Sequence, residues 1–142
     1  MRVSGFMVPK EKVKTCVATD TIESVLDQLL DNKISAVVCV DGEKATGIIT
    51  KTDIAKAYKK QTPLDTKISE IMVADVKAVV ANQPRDKAAR IFESNNIHHA
   101  VVIGDNGEFC GLISSLDIAK ECVADDRAWP WNRTEAGKVN QQ

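Results

Sequence analysis

Two spacings of apolar residues alternate along the chain and predict its secondary structure. The first stripe has the three- and four-residue spacing of a helix face and comprises Ile22, Val25, Leu26, Leu29 and Leu30. Asp20 and Glu23, three residues apart, predict that this helix begins with a capping box. Two short apolar runs follow, at 36–40 and 46–50, with an Asp-Gly turn signal after the first. These runs predict a β-hairpin.

The second half of the chain predicts the same succession of elements. A helix is predicted to begin at Thr52 or Asp53, after the first hairpin, and short strands are predicted at 14–17 and 77–80. The second half carries predicted helices at 86–95 and 116–123 and predicted strands at 100–103 and 109–114. Each half therefore has the order strand, helix, strand, strand, helix, and the predicted fold class is α+β.

The sequence contains an internal repeat. Three blocks recur in the same order and at a nearly constant offset: 3–8 at 68–73, 34–38 at 97–101, and 47–56 at 111–120. Two copies are too few for a solenoid, so we expect two halves packed on each other with pseudo-two-fold symmetry. The predicted division is repeat 1 (1–60), a linker (61–67), repeat 2 (68–123) and a polar C-terminal tail (124–142) that carries Trp129 and Trp131.

Composition argues against several classes of function. The 142-residue chain has a formal net charge of −1 and is 4% aromatic, which does not favour nucleic-acid binding. No apolar run approaches the length of a membrane helix, and the first residues lack the apolar core of a signal peptide. The four cysteines show no CxxC or metal-ligand spacing, and Cys16, Cys39 and Cys110 lie in or beside apolar runs. Buried thiols in a cytoplasmic or other reducing intracellular compartment are the favoured interpretation.

The strand-to-helix junction of each half resembles a motif of the CBS-domain family (the cystathionine β-synthase type). Both junctions have glycine, two apolar residues, Ser or Thr, two further residues and aspartate, from Gly47 to Asp53 and from Gly111 to Asp117. The resemblance extends over residues 3–123. It implies two CBS repeats around clefts that take AMP, ADP, ATP or S-adenosylmethionine. It also implies a regulatory module that is not an enzyme and needs no cofactor, acting as a homodimer or on a protein partner in trans.

Asp53 and Asp117 are the first candidates for ligand binding. A carboxylate has two acceptor oxygens, which suit the two neighbouring hydroxyl donors of a ribose. Thr50 and Ser114, three residues earlier at the strand ends, could reach ribose or phosphate oxygens. The alternative is that these residues only cap a helix, at about 1 kcal/mol each. Their occurrence in both repeats favours the ligand role.

His98 and His99 open the central strand of the second half, where the resemblance implies a phosphate-binding His-Arg pair. By that analogy both histidines face the ligand that Asp53 holds, although His99 lacks the permanent charge of arginine. Ser35 and Ala36 occupy the matching place in the first half and offer no basic group. The sequence therefore predicts a better site at the first Asp motif and a weaker or empty site, with Ser35 and Ala36, at the second.

Three further candidates come from neighbouring positions. Val13 and Val79, near the first strands, are candidates for adenine contact, with plain core packing as the alternative. Lys51 could approach a phosphate from inside the motif. Because few other cations and no Gly-rich loop are evident, AMP or S-adenosylmethionine is favoured over ATP. Two alternatives stay open: a dimerisation module with empty clefts, and a regulator of a thiol-redox partner, although the chain has no CxxC for thiol exchange of its own.

Overall fold

The computed structural model describes the backbone of residues 1–128 and the side chains of residues 1–124, so the predicted roles of Trp129 and Trp131 lie outside the described residues. The strands are β1 (Val8–Pro9), β2 (Thr15–Cys16), β3 (Ala36–Asp41), β4 (Lys44–Thr50), β5 (Ala78–Val80), β6 (His99–Ile103) and β7 (Phe109–Ser114). The helices are α1 (Ile22–Asp31), α2 (Lys51–Lys59), α3 (Arg85–Asn95) and α4 (Ser115–Ala128). From β2 onward both halves follow the predicted order.

Two helix starts differ from the predicted ones because another side chain occupies the N-cap. Thr21, rather than Asp20, caps α1, and its Oγ1 accepts a hydrogen bond from Ser24 N at 3.2 Å. Asp20 Oδ2 instead accepts a hydrogen bond at 2.9 Å from a backbone amide in the preceding turn. Helix α2 begins earlier than predicted because Thr50, at the end of β4, is its N-cap. Both differences leave the apolar faces of the helices where the sequence pattern put them.

The strands form two sheets. One has three strands in the order β2-β3-β4, and the other has four in the order β1-β7-β6-β5. The predicted hairpins are the antiparallel pairs β3–β4 and β6–β7, and both are confirmed. Gly42 (φ 62°) and Gly107 (φ 79°) lie in the two hairpin turns, where a positive φ favours glycine.

The leading segment of each repeat packs on the other repeat. Val3, at the start of repeat 1, is fully buried in the core formed by α3, α4 and the four-stranded sheet. Ile68, its equivalent in repeat 2, is fully buried in the core of α1, α2 and the three-stranded sheet. Strand β1 likewise pairs with β7, and an isolated bridge joins Val73 to Ile48 in β4. The sequence repeats therefore differ from the two packed bodies by an exchange of leading segments.

A third buried cluster joins the two bodies. It contains Ala36, Val38 and Ile48 from the three-stranded sheet and Val101 and Phe109 from the four-stranded sheet. Burial of each large apolar side chain in such a cluster contributes about 1.5–3 kcal/mol. The two sheets therefore pack face to face, which confirms the predicted α+β fold of two repeats related by pseudo-two-fold symmetry. The strand ends beside this cluster border the clefts that contain the candidate sites.

Candidate functional site

Two clefts lie on either side of the contact between the sheets. The first cleft contains Thr50 and Asp53 and has a volume of about 460 Å³. The second cleft contains Ser114 and Asp117 and has a volume of about 500 Å³. Both volumes fall in the range of about 300–1,000 Å³ that is usual for small-molecule sites.

The two clefts are built from equivalent positions of the two repeats. Each combines the strand-to-helix junction of one repeat with the first-strand region and the central-strand start of the other. The first cleft takes Val76 and His98 from repeat 2, and the second takes their equivalents in repeat 1, Val13 and Ser35. The exchange of leading segments brings these distant parts of the sequence together.

Each motif aspartate forms a capping box and still has one unused oxygen. Asp53 Oδ2 accepts hydrogen bonds from Thr50 N (2.8 Å) and Thr50 Oγ1 (3.1 Å). Asp117 Oδ2 accepts them from Ser114 N and Ser114 Oγ, both at 2.9 Å. The Oδ1 atoms accept no hydrogen bond from any described residue. The helix-cap role and the ligand role are therefore compatible, because each uses a different oxygen.

The two histidines occupy different environments. His98 is exposed on the first cleft, whereas His99 is half-buried and lines both clefts. His99 Nε2 lies 3.2 Å from Ser35 Oγ, within hydrogen-bond distance. Burial, followed by the positive charge of His98, lowers the pKa of His99 below its usual value, and Asp117 partly opposes this shift. At neutral pH the His99 ring is therefore mainly uncharged and acts as a neutral hydrogen-bonding group.

The structure separates the residues singled out from the sequence into three groups. Those lining the first cleft alone are Thr50, Asp53 and His98. Those lining the second cleft alone are Val13, Ala36, Ser114 and Asp117. Those lining both clefts are Ser35, Lys51 and His99. The predicted assignment of both histidines to one cleft and of Ser35 to the other is therefore too simple, because the clefts share a wall.

Val79 lines neither cleft. Its side chain is 1% exposed and packs in the core against residues that include Ala88 and Phe92. The residue equivalent to Val13 is Val76, which precedes β5 and does line the first cleft. The offset that relates the two repeats, applied to Val13, would have identified it. Val79 belongs to the packing alternative that the sequence left open.

The predicted distribution of positive charge is also wrong. The lysines that line the second cleft are Lys12, Lys14, Lys33, Lys51 and Lys120. The first cleft has only Lys51 and Lys77, which face Asp53 and Asp75, and Lys77 Nζ lies 3.1 Å from Asp75 Oδ2. The cleft that was expected to offer less to phosphates is therefore the more basic of the two.

The cysteines do not form a redox pair of the CxxC type. All four are free thiols, with Cys16 and Cys39 buried, Cys110 half-buried and Cys122 exposed. Burial, together with the neighbouring Cys39, raises the pKa of Cys16 to about 12, which keeps this thiol protonated. Within the described part of the chain no group of His, Cys, Asp and Glu side chains could hold a metal ion. None of the described helices has the length and apolar character required to cross a bilayer.

Equivalent clefts between two repeats with exchanged leading segments define a tandem-repeat module with paired binding clefts. The CBS domain family matches the sequence twice, at residues 3–60 and at residues 68–124. The chain therefore belongs to the CBS domain family, which confirms the resemblance seen at the two Gly-to-Asp motifs.

Related proteins share this organisation. An uncharacterised protein of Methanocaldococcus jannaschii is 34% identical over 75% of this chain, which spans 26% of that protein's length. The chain spans no more than 61% of the length of two further curated relatives. A CBS domain pair in complex with 5′-methylthioadenosine and S-adenosyl-L-methionine is 26% identical, with a TM-score of 0.78 over 88% of this chain and 98% of that chain. A CBS domain protein from Pyrobaculum aerophilum complexed with AMP is 26% identical, with a TM-score of 0.75 over 82% and 89% of the two chains.

Proposed function

We propose that the chain is a regulatory module that binds an adenosine-containing ligand in the first cleft and catalyses no reaction. The observation that carries the proposal is the arrangement of Asp53, whose Oδ2 is held by the helix cap while its Oδ1 accepts no hydrogen bond from a described residue. An acceptor fixed at the wall of a cleft suits the paired hydroxyl donors of a ribose. The ligands of the two related CBS pairs, AMP in one and 5′-methylthioadenosine with S-adenosyl-L-methionine in the other, share that ribose.

The apolar wall of the first cleft supports an adenine ring beside this aspartate. Ile48, Val73, Val76 and Ile97 line the cleft together. They offer a flat aromatic base an apolar surface at about 25 cal/mol per Å² removed from water. His98 lies at the same cleft and is exposed, so it is placed to contact the group attached to the ribose 5′ carbon.

The charges of the first cleft favour a ligand with few phosphates. Lys51 and Lys77 are matched there by Asp53 and Asp75, and the ion pair between Lys77 and Asp75 occupies one of the two lysines. Binding a triphosphate in such a cleft would require neutralising several negative charges with few free cations. AMP, 5′-methylthioadenosine and S-adenosylmethionine are therefore the proposed ligands of this cleft.

A regulatory role requires that binding changes an association. Tyr58 on α2 is 85% exposed and Leu116 on α4 is 60% exposed, so both helices present large apolar groups to the surroundings. We assign these helices to a homodimer or to a protein partner in trans. The same exposure favours the second candidate function, a dimerisation module whose clefts stay empty.

Calorimetric titration with 5′-methylthioadenosine separates the two functions. Asp53→Asn keeps an oxygen for the helix cap but replaces the free acceptor with an amide donor, and we expect it to weaken binding about tenfold or more. The matched control is Asp27→Asn on the exposed part of α1, which should bind like the unmodified protein. Equal affinity of both variants would overturn the assignment of Asp53. Absence of binding by the unmodified protein to 5′-methylthioadenosine, AMP and S-adenosylmethionine would favour the dimerisation module.

A further inference from the structure

The lysines of the second cleft have no counter-charge of comparable number. Lys12 and Lys14 come from the segment before β2, Lys33 from the end of α1, Lys51 from the start of α2 and Lys120 from α4. Asp117 is the one acidic side chain among the described residues that line this cleft, and its Oδ2 is already engaged in the helix cap. No described acidic residue forms a salt bridge with any of these five lysines. The convergence of several unpaired cations on one concavity is unfavourable unless an anion fills it.

Comparison of the two repeats shows that this charge is particular to the second cleft. Lys12 corresponds to Asp75 at the offset that relates Val13 to Val76, so one position carries opposite charges in the two clefts. Lys33 corresponds to Asn96, and both residues have a left-handed backbone, with φ of 53° and 50°. Asparagine accepts that conformation readily, whereas lysine is strained in it. Repeat 1 thus carries a lysine at the one wall position where repeat 2 carries the residue that suits the backbone.

We propose that the second cleft binds the polyphosphate chain of a nucleoside di- or triphosphate, so that the two clefts of this chain take ligands of different charge. The proposal rests on the proposed function and extends it to the other cleft. Five ammonium groups provide donors and charge for several phosphates, as the stabilisation of closely spaced anions requires. A single phosphate would leave most of these lysines unpaired.

The shape of the site argues for a compact anion rather than a nucleic acid. The lysines line a cleft of about 500 Å³ rather than a face, and the chain as a whole has a net charge of −1. Val13, Ile34 and Leu112 give the cleft an apolar wall equivalent to the adenine-facing wall of the first cleft. A nucleotide satisfies both parts of the cleft, since its base meets the apolar wall and its phosphates meet the lysines.

Titrations with ATP and with sodium tripolyphosphate test the proposal. The decisive variant is Lys12→Asp combined with Lys33→Asn, which gives the second cleft the residues that repeat 2 already uses at the same positions. We expect it to weaken ATP binding about tenfold or more, because two contacts with phosphate charge are lost and one is reversed. Tripolyphosphate should displace ATP from the unmodified protein, and added salt should weaken both ligands. The control with the same change of charge is Lys87→Asp combined with Lys59→Asn, at exposed positions on α3 and α2 outside both clefts.

The outcomes separate this proposal from the proposed function. Binding of 5′-methylthioadenosine should be lost in Asp53→Asn and retained in the Lys12/Lys33 variant, with the opposite pattern for ATP. ATP binding that is equal in the Lys12/Lys33 and Lys59/Lys87 variants would overturn the second-cleft assignment and leave the first cleft unaffected. Absence of ATP and tripolyphosphate binding in the unmodified protein, with 5′-methylthioadenosine still bound, would overturn it as well. ATP binding without 5′-methylthioadenosine binding would overturn the first-cleft assignment alone.

Discussion

Replacing Lys33 with asparagine should stabilise the fold while it removes a cleft charge. Lys33 follows α1 with φ 53°, and this left-handed residue lets Ile34 N donate a hydrogen bond to Leu29 O at 3.1 Å. The same helix ending recurs after α3, where Asn96 has φ 50° and Ile97 N donates to the equivalent carbonyl of α3 at 3.3 Å. The backbone requirement is therefore the same in both repeats, and only repeat 2 meets it with a suitable side chain.

The expected gain follows from the cost of the left-handed conformation. That conformation costs a residue with an ordinary Cβ about 1–2 kcal/mol, and asparagine avoids part of this cost. We expect Lys33→Asn to raise the free energy of unfolding by about 0.5–1 kcal/mol. For a chain of 142 residues this corresponds to an increase in melting temperature of about 2–3 °C.

Urea denaturation at high salt measures this gain with the charge effect screened. The reciprocal variant Asn96→Lys should destabilise the protein by a similar amount, because it imposes on repeat 2 the strain that repeat 1 carries. Lys33→Ala serves as a second control, since alanine removes the charge but keeps a Cβ in the left-handed region. A stability of Lys33→Asn equal to that of Lys33→Ala, with Asn96→Lys unchanged, would refute the strain argument.

Three further predictions concern the cap, the shared histidine and the thiols. Asp53→Ala should lower the free energy of unfolding by about 1 kcal/mol in urea, whereas Asp53→Asn should keep most of the cap; equal losses would contradict this. Because the pKa of His99 is lowered on folding, the unfolded chain binds the proton first, so stability should fall as the pH drops below about 6.5. Urea titrations of His99→Gln should show a smaller fall, and an identical pH profile would count against the buried, neutral ring. A thiol reagent should modify Cys122 rapidly and Cys16 slowly, and fast labelling that persists in Cys122→Ser would disprove this.

The elements and the motif residues could be predicted because their signals are local. Apolar spacing and turn residues placed the helices and hairpins to within a few residues. The Gly-to-Asp motif identified Thr50, Asp53, Ser114 and Asp117, and all four lie at the clefts. A strand that ends in a helix cap brings its last side chains to the edge of the sheet, which is where two packed sheets leave open space.

The lysines of the second cleft could not be predicted because their proximity is tertiary. Lys12, Lys33 and Lys120 are far apart in the sequence and meet only because the leading segment of repeat 1 packs against the body of repeat 2. Nothing in the local pattern of residues 3–12 indicates which sheet that segment joins. The choice of Val79 in place of Val76 has a related cause, since proximity to a strand does not determine which side chain faces the cleft.

The differences between the two repeats separate packing from binding. Val38 and Val101 are equivalent and fully buried, as are Ile49 and Ile113, and the apolar character is the same in both copies. A core position accepts only apolar side chains of similar volume, because overpacking and cavities both cost stability. The wall position held by Lys12 in repeat 1 and by an aspartate in repeat 2 has no such restriction. Its change of charge therefore reflects what each cleft binds.

The shared wall makes the two unequal clefts interdependent. Ser35, Lys51 and His99 line both, and the Lys51 ammonium group can pair with an anion in only one of them at a time. An anionic ligand in the second cleft therefore removes a cation from the first, which disfavours AMP there and leaves the uncharged 5′-methylthioadenosine unaffected. Because coupling between binding sites is reciprocal, AMP in the first cleft must weaken a polyphosphate in the second by the same factor. A module built in this way responds to the ratio of two adenosine ligands rather than to the concentration of either.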